Sequence, residues 1–359
     1  MSDQMSLQRG RFQELLRHDR LVVMPGGCTP LFARMAQEAG FECFFLAGSQ
    51  TSAFVYGVPD VGVMGLRDMA DHARSVAAHC DIPVLVDGDT GYGGAVNVRY
   101  AVQEFVRSGA AALQIEDQEA PKKSGTSAGR RLISLDEAVG KYRAAVDARD
   151  ELDPSFAICA RTDAIGAEAG GTGESPDRTR GTGESPDRTG GAGETPDRTG
   201  GAGESPDRTE GFEEAVERAA AYVREGGVDF VWLNSVQSRE ELGEACARIP
   251  GPVLATWGGP RPAPTLEELE RLGVRIALYP VLASRPGAQA VWEMLHDFRE
   301  RGTAAIEDWN ARAAESRWGA VDMGRLVGAD RVRALEERYL PQDQRRDYDT
   351  TFGHRPGGS

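Results

Sequence analysis

Short apolar runs recur eight times along the chain, separated by segments whose apolar residues repeat with helical spacing. The runs are nearly continuous in Val, Ile, Leu, Phe and Ala, which is typical of strands buried on both faces of a parallel sheet. They cover Leu21–Met24, Cys43–Ala47, Pro83–Asp87, Ala111–Ile115, Phe156–Ala160, Asp229–Leu233, Pro252–Thr256 and Val274–Tyr279. Eight such units in one chain predict an α/β fold, a (β/α)8 barrel of the TIM type.

The segments between the runs predict the helices of this barrel. Five of them have clear helical spacing: Leu31–Gly40, Leu66–His79, Ala95–Gly109, Leu135–Arg149 and Phe212–Gly226. Two more, Ala304–Arg317 and Gly324–Tyr339, follow the eighth unit. We therefore predict a catalytic barrel over residues 1–302 and a C-terminal helical extension with a tail over residues 303–359. No Gly-x-Gly-x-x-Gly follows the first run, which weakens a dinucleotide-binding alternative.

Residues 171–210 interrupt this pattern with four tandem decamers, GTGESPDRTR, GTGESPDRTG, GAGETPDRTG and GAGESPDRTE. They contain no aromatic residue and no aliphatic residue larger than alanine. Such a segment buries too little surface to offset the entropy of ordering it, so we predict a disordered insertion. It lies between the fifth strand and its helix, on the active-site face. A tolerated repeat expansion is the simpler interpretation, and a lid or docking role is the alternative.

Composition narrows the class of protein. The net charge of −15 argues against nucleic acid or an anionic membrane as a partner. The N-terminal 20 residues are polar and charged, and no apolar run reaches 18 residues, so neither a secretion signal nor a membrane span is expected. The five cysteines are scattered and lack metal-type spacing, which indicates reduced, mostly buried thiols. These features together predict a cytoplasmic protein.

Acidic residues end several of the predicted strands, where the mouth of a barrel carries its chemistry. Asp60 lies in the loop after the second run, Asp87 and Asp89 follow the third, and Glu116 follows the fourth. Clustered carboxylates repel one another unless a cation lies between them, and Mg²⁺ prefers such oxygen ligands. The residues therefore predict a divalent metal site, although some could be helix caps or ion-pair partners, and Asp117 could replace Glu116.

Cationic residues accompany the carboxylates. The fourth run is followed by a basic, Gly/Ser-rich loop, residues 121–132, in which Lys122 or Lys123 could stabilise an enolate and Ser124 could relay a proton. Arg161, after the fifth run, could bind a substrate carboxylate through two hydrogen bonds. A solvated surface turn is the alternative for the loop. A structural ion pair with Asp163 or Glu116 is the alternative for Arg161.

Nucleophilic triads and zinc sites are not indicated. The five histidines all lie away from the predicted strand ends, which makes a His-based triad or His-ligated zinc improbable. Cys28 follows the first run and reaches the correct face, where a small packed residue and a reactive thiol are both conceivable.

The order of these residues resembles the isocitrate lyase/phosphoenolpyruvate mutase superfamily, especially its 2-methylisocitrate lyase and carboxyphosphonoenolpyruvate mutase members. The resemblance runs from about Leu21 to Tyr339, outside the decamers. Its motifs are Pro25-Gly-Gly, Gly57-Val-Pro-Asp60, Val86-Asp-Gly-Asp-Thr-Gly-Tyr-Gly93, Ile115-Glu-Asp-Gln118, Pro121-Lys-Lys-Ser-Gly125, Ala160-Arg-Thr-Asp-Ala164 and Ala334-Leu-Glu-Glu-Arg-Tyr339. Members pass through an enolate of a small carboxylate.

The resemblance implies roles for individual residues. Asp87, Asp89 and Glu116 would surround Mg²⁺ or Mn²⁺, and Lys122 would stabilise the oxyanion. The remaining residues would contact the substrate: Asp60 and Arg161 by orienting it, Gly48 and Ser49 through their backbone N–H groups, and Asn234 and Thr256 at the far side of the pocket. The resemblance also implies a homodimer or homotetramer whose C-terminal helices are swapped between subunits.

The departures from the family pattern affect the substrate. Lyases of the family carry a cysteine general acid and a histidine where this chain has Ser124 and Thr126. The lyases also have a glutamate at the position of Asn234. Where this chain has residues 256–259, they have an asparagine with a nearby glutamate. The asparagine that phosphonate mutases carry in the loop is absent too. The half of the site that binds metal and enolate therefore looks intact, while the half that recognises the rest of the substrate is altered.

These observations leave four functions open. The leading one is a Mg²⁺-dependent C–C bond lyase acting through an enolate on a 2-hydroxy- or 2-oxo-(di)carboxylate without the usual cysteine acid. A phosphonomutase or P–C hydrolase would use the same enolate on a phosphorus substrate. An oxaloacetate decarboxylase or hydrolase needs no cysteine acid. A non-catalytic carboxylate-binding barrel is the fourth, and the retained Asp87 and Asp89 argue against it.

Overall fold

The computed structural model describes residues 2–168 and 206–348 and shows a closed barrel of eight parallel strands in sequence order. The strands are β1 (Val22–Gly27), β2 (Phe44–Leu46), β3 (Val84–Asp87), β4 (Ala112–Glu116), β5 (Ala157–Thr162), β6 (Phe230–Leu233), β7 (Val253–Ala255) and β8 (Ile276–Tyr279). β1 pairs with β8 and closes the sheet. The predicted fold is confirmed, and each strand lies within or beside one predicted apolar run.

Helices surround the barrel. They are α1 (Ser2–Arg17), α2 (Pro30–Glu38), α3 (Gly48–Thr51), α4 (Leu66–Ala77), α5 (Ala95–Ser108), α6 (Leu135–Leu152), α7 (Pro206–Arg224), α8 (Arg239–Arg248) and α9 (Leu266–Arg271), with a π-helical turn at Ser52–Tyr56. The core between strands and helices is built from alternate strand residues and the apolar faces of these helices, as Val86, Val102 and Tyr142 illustrate.

A second core fills the barrel interior and its N-terminal end. Phe45, Leu85 and Phe230 point inward from the strands, and α1 adds Phe12 to the same cluster. The rings of Phe12 and Phe230 lie 5.8 Å apart. Helix α1 was not predicted from the sequence, because one buried face on a largely polar and charged helix gives a weak apolar signal.

The decamers fall mostly outside the described residues, so their predicted disorder is not tested. One boundary differs from the prediction, however. Helix α7 begins at Pro206, inside the fourth decamer, and not at Phe212. Proline is favoured in the first turn of a helix because its missing N–H has no partner there anyway. Helix α7 therefore includes the last five residues of the fourth decamer.

After β8 comes α10 (Arg285–Arg301), which lies within the predicted barrel range. The predicted C-terminal extension contains α11 (Thr303–Glu315), α12 (Met323–Leu326) and α13 (Arg331–Tyr339). The helix predicted over Gly324–Tyr339 is wrong in its continuity, because the chain leaves the helix after α12 and Gly328 has a left-handed φ of 79°. Apolar side chains on α10 are exposed, with Trp292 at 64% and Leu295 at 63%. Subunit swapping stays a prediction.

The structure bears on the predictions that the cysteines are reduced and mostly buried and that the chain has no membrane span. All five cysteines are free thiols, and four of them are buried. Within the described residues, no helix combines the length and the apolar character that crossing a membrane requires.

Candidate active site

The turn after β3 presents two carboxylates at the mouth of the barrel. Asp87 ends the strand, and its Oδ2 and Oδ1 accept hydrogen bonds from the N–H groups of Gly48 and Asp89, at 3.1 Å each. Asp89 itself has a left-handed backbone, with φ at 50°. This backbone conformation turns the Asp89 carboxylate back over the mouth of the barrel, although Asp89 lies two residues past the end of β3.

Lys122 joins carboxylates from the loop after β2, the turn after β3 and the end of β4. Its Nζ lies 2.7 Å from Asp60 Oδ1 and 4.0 Å from Glu116 Oε1, and it also forms an ion pair with Asp89 Oδ1. The Lys122 side chain is only 4% exposed. The predicted cluster is therefore formed in this structure, with the ammonium among the carboxylates.

Arg161 extends the cluster across β5. Its Nη1 lies 3.2 Å from Glu116 Oε2, and its Nη2 donates to Asp163 Oδ1 at 2.9 Å. The guanidinium also lies 4.6 Å from the ring centroid of Trp232. Both structural ion pairs considered for Arg161 are present, and they fix the guanidinium at the mouth.

The loop after β4 folds over this arginine. The Gly125 carbonyl accepts hydrogen bonds from Arg130 Nη1 at 2.7 Å and from Asn234 Nδ2 at 2.8 Å. Arg130 Nη1 also donates to Asp163 Oδ1 at 2.8 Å. Asn234 thus acts as a bridge between the loop and β6, rather than pointing freely into the mouth. Lys123 is anchored separately, by its N–H donating to Gln118 Oε1 at 2.9 Å.

Burial controls the ionisation of the cluster. It raises the pKa of Glu116 to about 8, against the opposing effect of Arg161 and Lys122. It also raises the pKa of Asp89 to about 6, although Lys122 again opposes the shift. Burial alone would lower the pKa of Lys122, but the surrounding carboxylates raise it above its usual value. Lys122 is therefore a permanent cation, and the carboxylates gain from any further cation near them.

The other predicted substrate contacts lie around this cluster. Ser49 and Thr256 are partly buried, and Thr256 Oγ1 accepts a hydrogen bond from Trp232 Nε1 at 3.1 Å. Ser124 is partly buried beside Gly125. The Gly48 N–H already donates to Asp87, so a substrate carboxylate would have to share or replace that bond. The substrate-binding roles of these residues stay predictions.

The oxygen atoms at the mouth of the barrel can be compared with the ligands that a divalent cation needs. Among residues 2–168 and 206–348, no three His, Cys, Asp or Glu side chains converge as a complete metal cage. Mg²⁺ commonly takes only one or two carboxylates and completes its shell with water and substrate oxygens. Asp89 Oδ1 and Glu116 Oε2 are buried, and their partners in this structure are the cations of Lys122 and Arg161. These hard oxygen donors fit such a cation.

Sequence reasoning missed a layer of residues beneath the cluster. Gln118 Nε2 donates to Glu116 Oε1 at 3.1 Å and to Asp163 Oδ2 at 3.3 Å, so it links two strand ends. The signal was available, because Gln118 follows Glu116 by two residues and Asp163 follows Arg161 by two, which directs each pair toward the same side.

The alternative that Asp117 replaces Glu116 is not supported by its position. Asp117 Oδ2 accepts a hydrogen bond from Tyr222 OH at 2.7 Å, and its Oδ1 accepts from the Asp163 N–H at 3.0 Å. Its carboxylate faces the helix layer instead of the mouth. Cys28 is also fully buried, and burial raises the pKa of its thiol to about 11, which disfavours a reactive thiolate.

A closed parallel barrel with a charged mouth at the carboxyl ends of its strands defines a (β/α)8 enzyme. The sequence profile of the Phosphoenolpyruvate phosphomutase family matches residues 12–184 and 197–298. The chain belongs to this family, and the predicted resemblance is confirmed.

Curated relatives align over most of the chain. It is 31% identical over 334 residues to the 2,3-dimethylmalate lyase of Eubacterium barkeri, covering 92% of this chain and 97% of that protein. It is 34% identical over 293 residues to the 2-methylisocitrate lyase of Aeropyrum pernix, covering 81% and 80%. The chain is thus similar to lyases over nearly their full length.

Solved structures with the same fold include enzymes of other reaction types. Oxaloacetate acetylhydrolase bound to 3,3-difluorooxalacetate gives a TM-score of 0.71 at 28% identity, covering 91% of this chain and 95% of that one. Phosphonopyruvate hydrolase bound to oxalate and Mg²⁺ gives 0.71 at 27% identity, covering 93% and 99%. The superfamily therefore contains lyases, mutases and hydrolases, and this chain is an enzyme of that superfamily.

Proposed function

We propose that this chain is a Mg²⁺- or Mn²⁺-dependent lyase that breaks a C–C bond of a 2-hydroxy- or 2-oxo-(di)carboxylate through an enolate. The observation that carries the proposal is the position of Lys122 Nζ, 2.7 Å from Asp60 and within 4.0 Å of Glu116, at the mouth of the barrel. A buried ammonium next to a base and beside hard oxygen donors is what enolate formation requires.

The charges of the mouth favour a divalent cation together with an anionic substrate. Five carboxylates are present, from Asp60, Asp87, Asp89, Glu116 and Asp163, against three cationic side chains, from Lys122, Arg130 and Arg161. Fully ionised, the set carries two excess negative charges before any substrate enters. When bound by Asp87, Asp89 and Glu116, a divalent ion supplies Lewis-acid polarisation of a substrate oxygen.

The protein's own residues handle the protons of the cleavage. In a 2-hydroxy substrate, Asp60 accepts the proton of the 2-hydroxyl, and the adjacent C–C bond then breaks into a carbonyl product and an enolate. Lys122 remains protonated and stabilises the enolate oxygen, since its pKa is held above the usual value. The enolate carbon then takes a proton from Ser124 or from water. The guanidinium of Arg161, fixed by Glu116 and Asp163, orients a substrate carboxylate.

A substrate panel tests this proposal. The panel contains 2-methylisocitrate, 2,3-dimethylmalate, oxaloacetate and phosphonopyruvate, each with Mg²⁺, with Mn²⁺ and with EDTA. Pyruvate release from either of the first two, abolished by EDTA, is the expected result. Phosphate release from phosphonopyruvate would instead show a P–C hydrolase. Turnover of none of them, with measurable binding of oxalate, would support a binding protein.

Hydrolysis or decarboxylation of oxaloacetate is the second candidate. It is favoured by Ser124, because a serine hydroxyl is a much weaker acid than the thiol of the lyases. Oxalate and acetate from oxaloacetate would identify a hydrolase, and pyruvate with CO₂ would identify a decarboxylase. The similarity to oxaloacetate acetylhydrolase supports including this arm of the panel.

A further inference from the structure

Lys141 is a buried cation that the proposed chemistry does not use. It lies on α6 with 3% of its surface exposed, and its Nζ donates a hydrogen bond to the Thr90 carbonyl at 3.0 Å. Thr90 follows Asp89 in the turn between β3 and α5. One side chain of the helix layer is therefore tied directly to the backbone that presents a candidate metal ligand.

That turn has an unusual backbone. Asp89 and Tyr92 have φ values of 50° and 60°, and Gly91 and Gly93 also have positive φ. A non-glycine residue in the left-handed region costs free energy and persists only where its surroundings hold it. Within the turn, Gly91 N–H donates to the Gly88 carbonyl at 2.9 Å. From outside the turn, the Glu116 N–H donates to the Asp89 carbonyl at 2.8 Å, and Lys141 adds a further bond at the Thr90 carbonyl.

Close packing does not explain why a lysine occupies position 141. A cavity of about 430 Å³ lies beside the turn and is lined by Thr90, Gly93 and Lys141 among others. The turn is therefore not held by close packing on that side. Burial also lowers the pKa of Lys141, partly offset by Glu137, so the ammonium is placed there at a cost. A methionine would fill a similar volume without that cost.

We propose that Lys141 is a positioning residue that fixes the Thr90 carbonyl, holds Asp89 in its left-handed conformation and thereby sets the affinity of the mouth for a divalent cation. The effect on metal affinity rests on the proposed function, whereas the effect on the turn does not. Removing a group that hydrogen-bonds a metal ligand and orients it typically lowers the affinity for the metal by about 10–100-fold.

The test compares Lys141→Met with a matched control, Arg149→Met. Arg149 is also a buried cation on α6, and its Nη1 donates to the Phe156 carbonyl at 3.1 Å, just before β5 begins at the opposite end of the barrel. Three quantities are measured on the full chain: hydrogen exchange of residues 88–93 without metal, the Mn²⁺ dissociation constant by electron paramagnetic resonance, and the melting temperature.

We expect faster exchange of residues 88–93 and a ~10–100-fold higher Mn²⁺ dissociation constant in Lys141→Met. In Arg149→Met, the melting temperature should fall while both other quantities stay as in the wild type. If Lys141→Met does not fold, Lys141→Gln, which keeps a shorter N–H donor, should show smaller shifts in the same direction. Folded Lys141 variants with wild-type exchange would overturn the positioning role.

The two proposals fail differently in this experiment. A wild-type protein that binds no Mn²⁺, combined with faster exchange in Lys141→Met, would reject the metal site and the proposed function but keep the role of Lys141 in the turn. Wild-type Mn²⁺ binding that is unchanged in Lys141→Met would reject the effect on metal affinity and leave the proposed function standing.

Discussion

Gly125 lies so close to Arg161 that a Cβ atom at position 125 would overlap the Nη2 atom of that arginine. The guanidinium cannot move aside cheaply, because Glu116 and Asp163 hold it as ion-pair partners. We predict that Gly125→Ala lowers kcat/KM at least about tenfold, since it must displace either the loop or Arg161. The overpacking should also cost ~1–3 kcal/mol of unfolding free energy. Steady-state kinetics and urea denaturation measure both effects.

Gly140 provides the matched control for that substitution. It lies inside α6, and apart from its chain neighbours and the helix's own backbone no atom lies within 4 Å of the position of a Cβ there. Gly140→Ala should therefore stabilise the protein by ~0.5–1 kcal/mol, because glycine is costly inside a helix. Its kinetics should match the wild type. Equal activity in Gly125→Ala and Gly140→Ala would contradict the close packing of the loop against Arg161.

Removal of Asp87 should abolish metal-dependent activity without unfolding the protein. Asp87→Ala takes away a hard oxygen donor at the mouth, and strand-end residues there serve function more than stability. EDTA should inactivate the wild type, and added Mg²⁺ should restore it. The exposed Asp71 offers a control, since Asp71→Asn changes only a surface pair with Arg74. Full turnover of Asp87→Ala, or of the wild type in EDTA, would rule out the metal assignment.

Ser124 tests the source of the proton. If water protonates the enolate, Ser124→Ala should lower kcat about tenfold or less. If Ser124 is the general acid, the loss should approach ~10²–10⁴-fold. Lys122→Ala should be worse in either case, because it removes the cation that faces the developing enolate.

Ser124→Cys is the informative partner of that series. We expect it to gain no efficient 2-methylisocitrate cleavage, because Asn234 is tied to the Gly125 carbonyl and the 256–259 segment also differs from the lyases. Product assays with 2-methylisocitrate decide this point. Efficient cleavage by Ser124→Cys would show that the substrate pocket has diverged less than the sequence indicates.

Asp163 should give the stability a specific pH dependence. Burial alone would raise the pKa of its carboxyl, but Arg161, Arg130 and Asn234 outweigh burial and hold the pKa below its usual range. The stabilisation is therefore complete above the unfolded pKa of about 3.9 and is lost as the pH falls through the lower folded pKa.

The variant Asp163→Asn makes this measurable. It leaves Arg161 and Arg130 without a shared carboxylate and should cost ~3–5 kcal/mol at neutral pH. The difference in unfolding free energy between wild type and variant should narrow below about pH 4, because the Asp163 carboxyl of the unfolded chain takes up a proton there while that of the folded protein stays ionised. Glu42→Gln, which affects an exposed pair with Arg20, should cost less than ~1 kcal/mol. A constant difference between wild type and Asp163→Asn from pH 7 to pH 3 would contradict the ion-pair assignment.

The exposed apolar face of α10 predicts self-association. Val291, Trp292 and Leu295 are each about 60% exposed and lie on one side of the helix. Contiguous exposed apolar surface of this kind marks an interaction site. We expect a dimer or tetramer by light scattering, and the double variant Trp292→Glu/Leu295→Lys should dissociate it. Glu300→Lys, on the opposite side of α10, should leave the oligomer intact, and a monomeric wild type would refute the prediction.

The sequence was sufficient for the barrel and for the charged residues of its mouth. Buried parallel strands are nearly continuous in apolar residues, so β3 and β4 stand out, and residues at their carboxyl ends must converge. The sequence could not show which partner each carboxylate has. It predicted equivalent metal-binding roles for Asp87, Asp89 and Glu116. In the structure, Asp89 forms an ion pair with Lys122, whereas Asp87 accepts hydrogen bonds from two backbone N–H groups.

Two supporting residues could not be predicted, for a different reason. Arg130 and Lys141 act through contacts between segments far apart in the chain, and neither lies at a predicted strand end. A single lysine in an amphipathic helix looks like a solvated residue, since only tertiary structure buries it. The short α12 and the start of α7 were missed because helix ends depend on local capping as much as on apolar spacing.

The start of α7 inside the last decamer has a consequence for how the chain can vary. Each decamer carries the same Pro-Asp-Arg-Thr, and in the fourth these four letters open the helix at Pro206. Adding or removing one of the first three units leaves that opening sequence in front of Glu210. The length of the repeat segment can therefore change without altering the residues that begin the helix packed on the barrel.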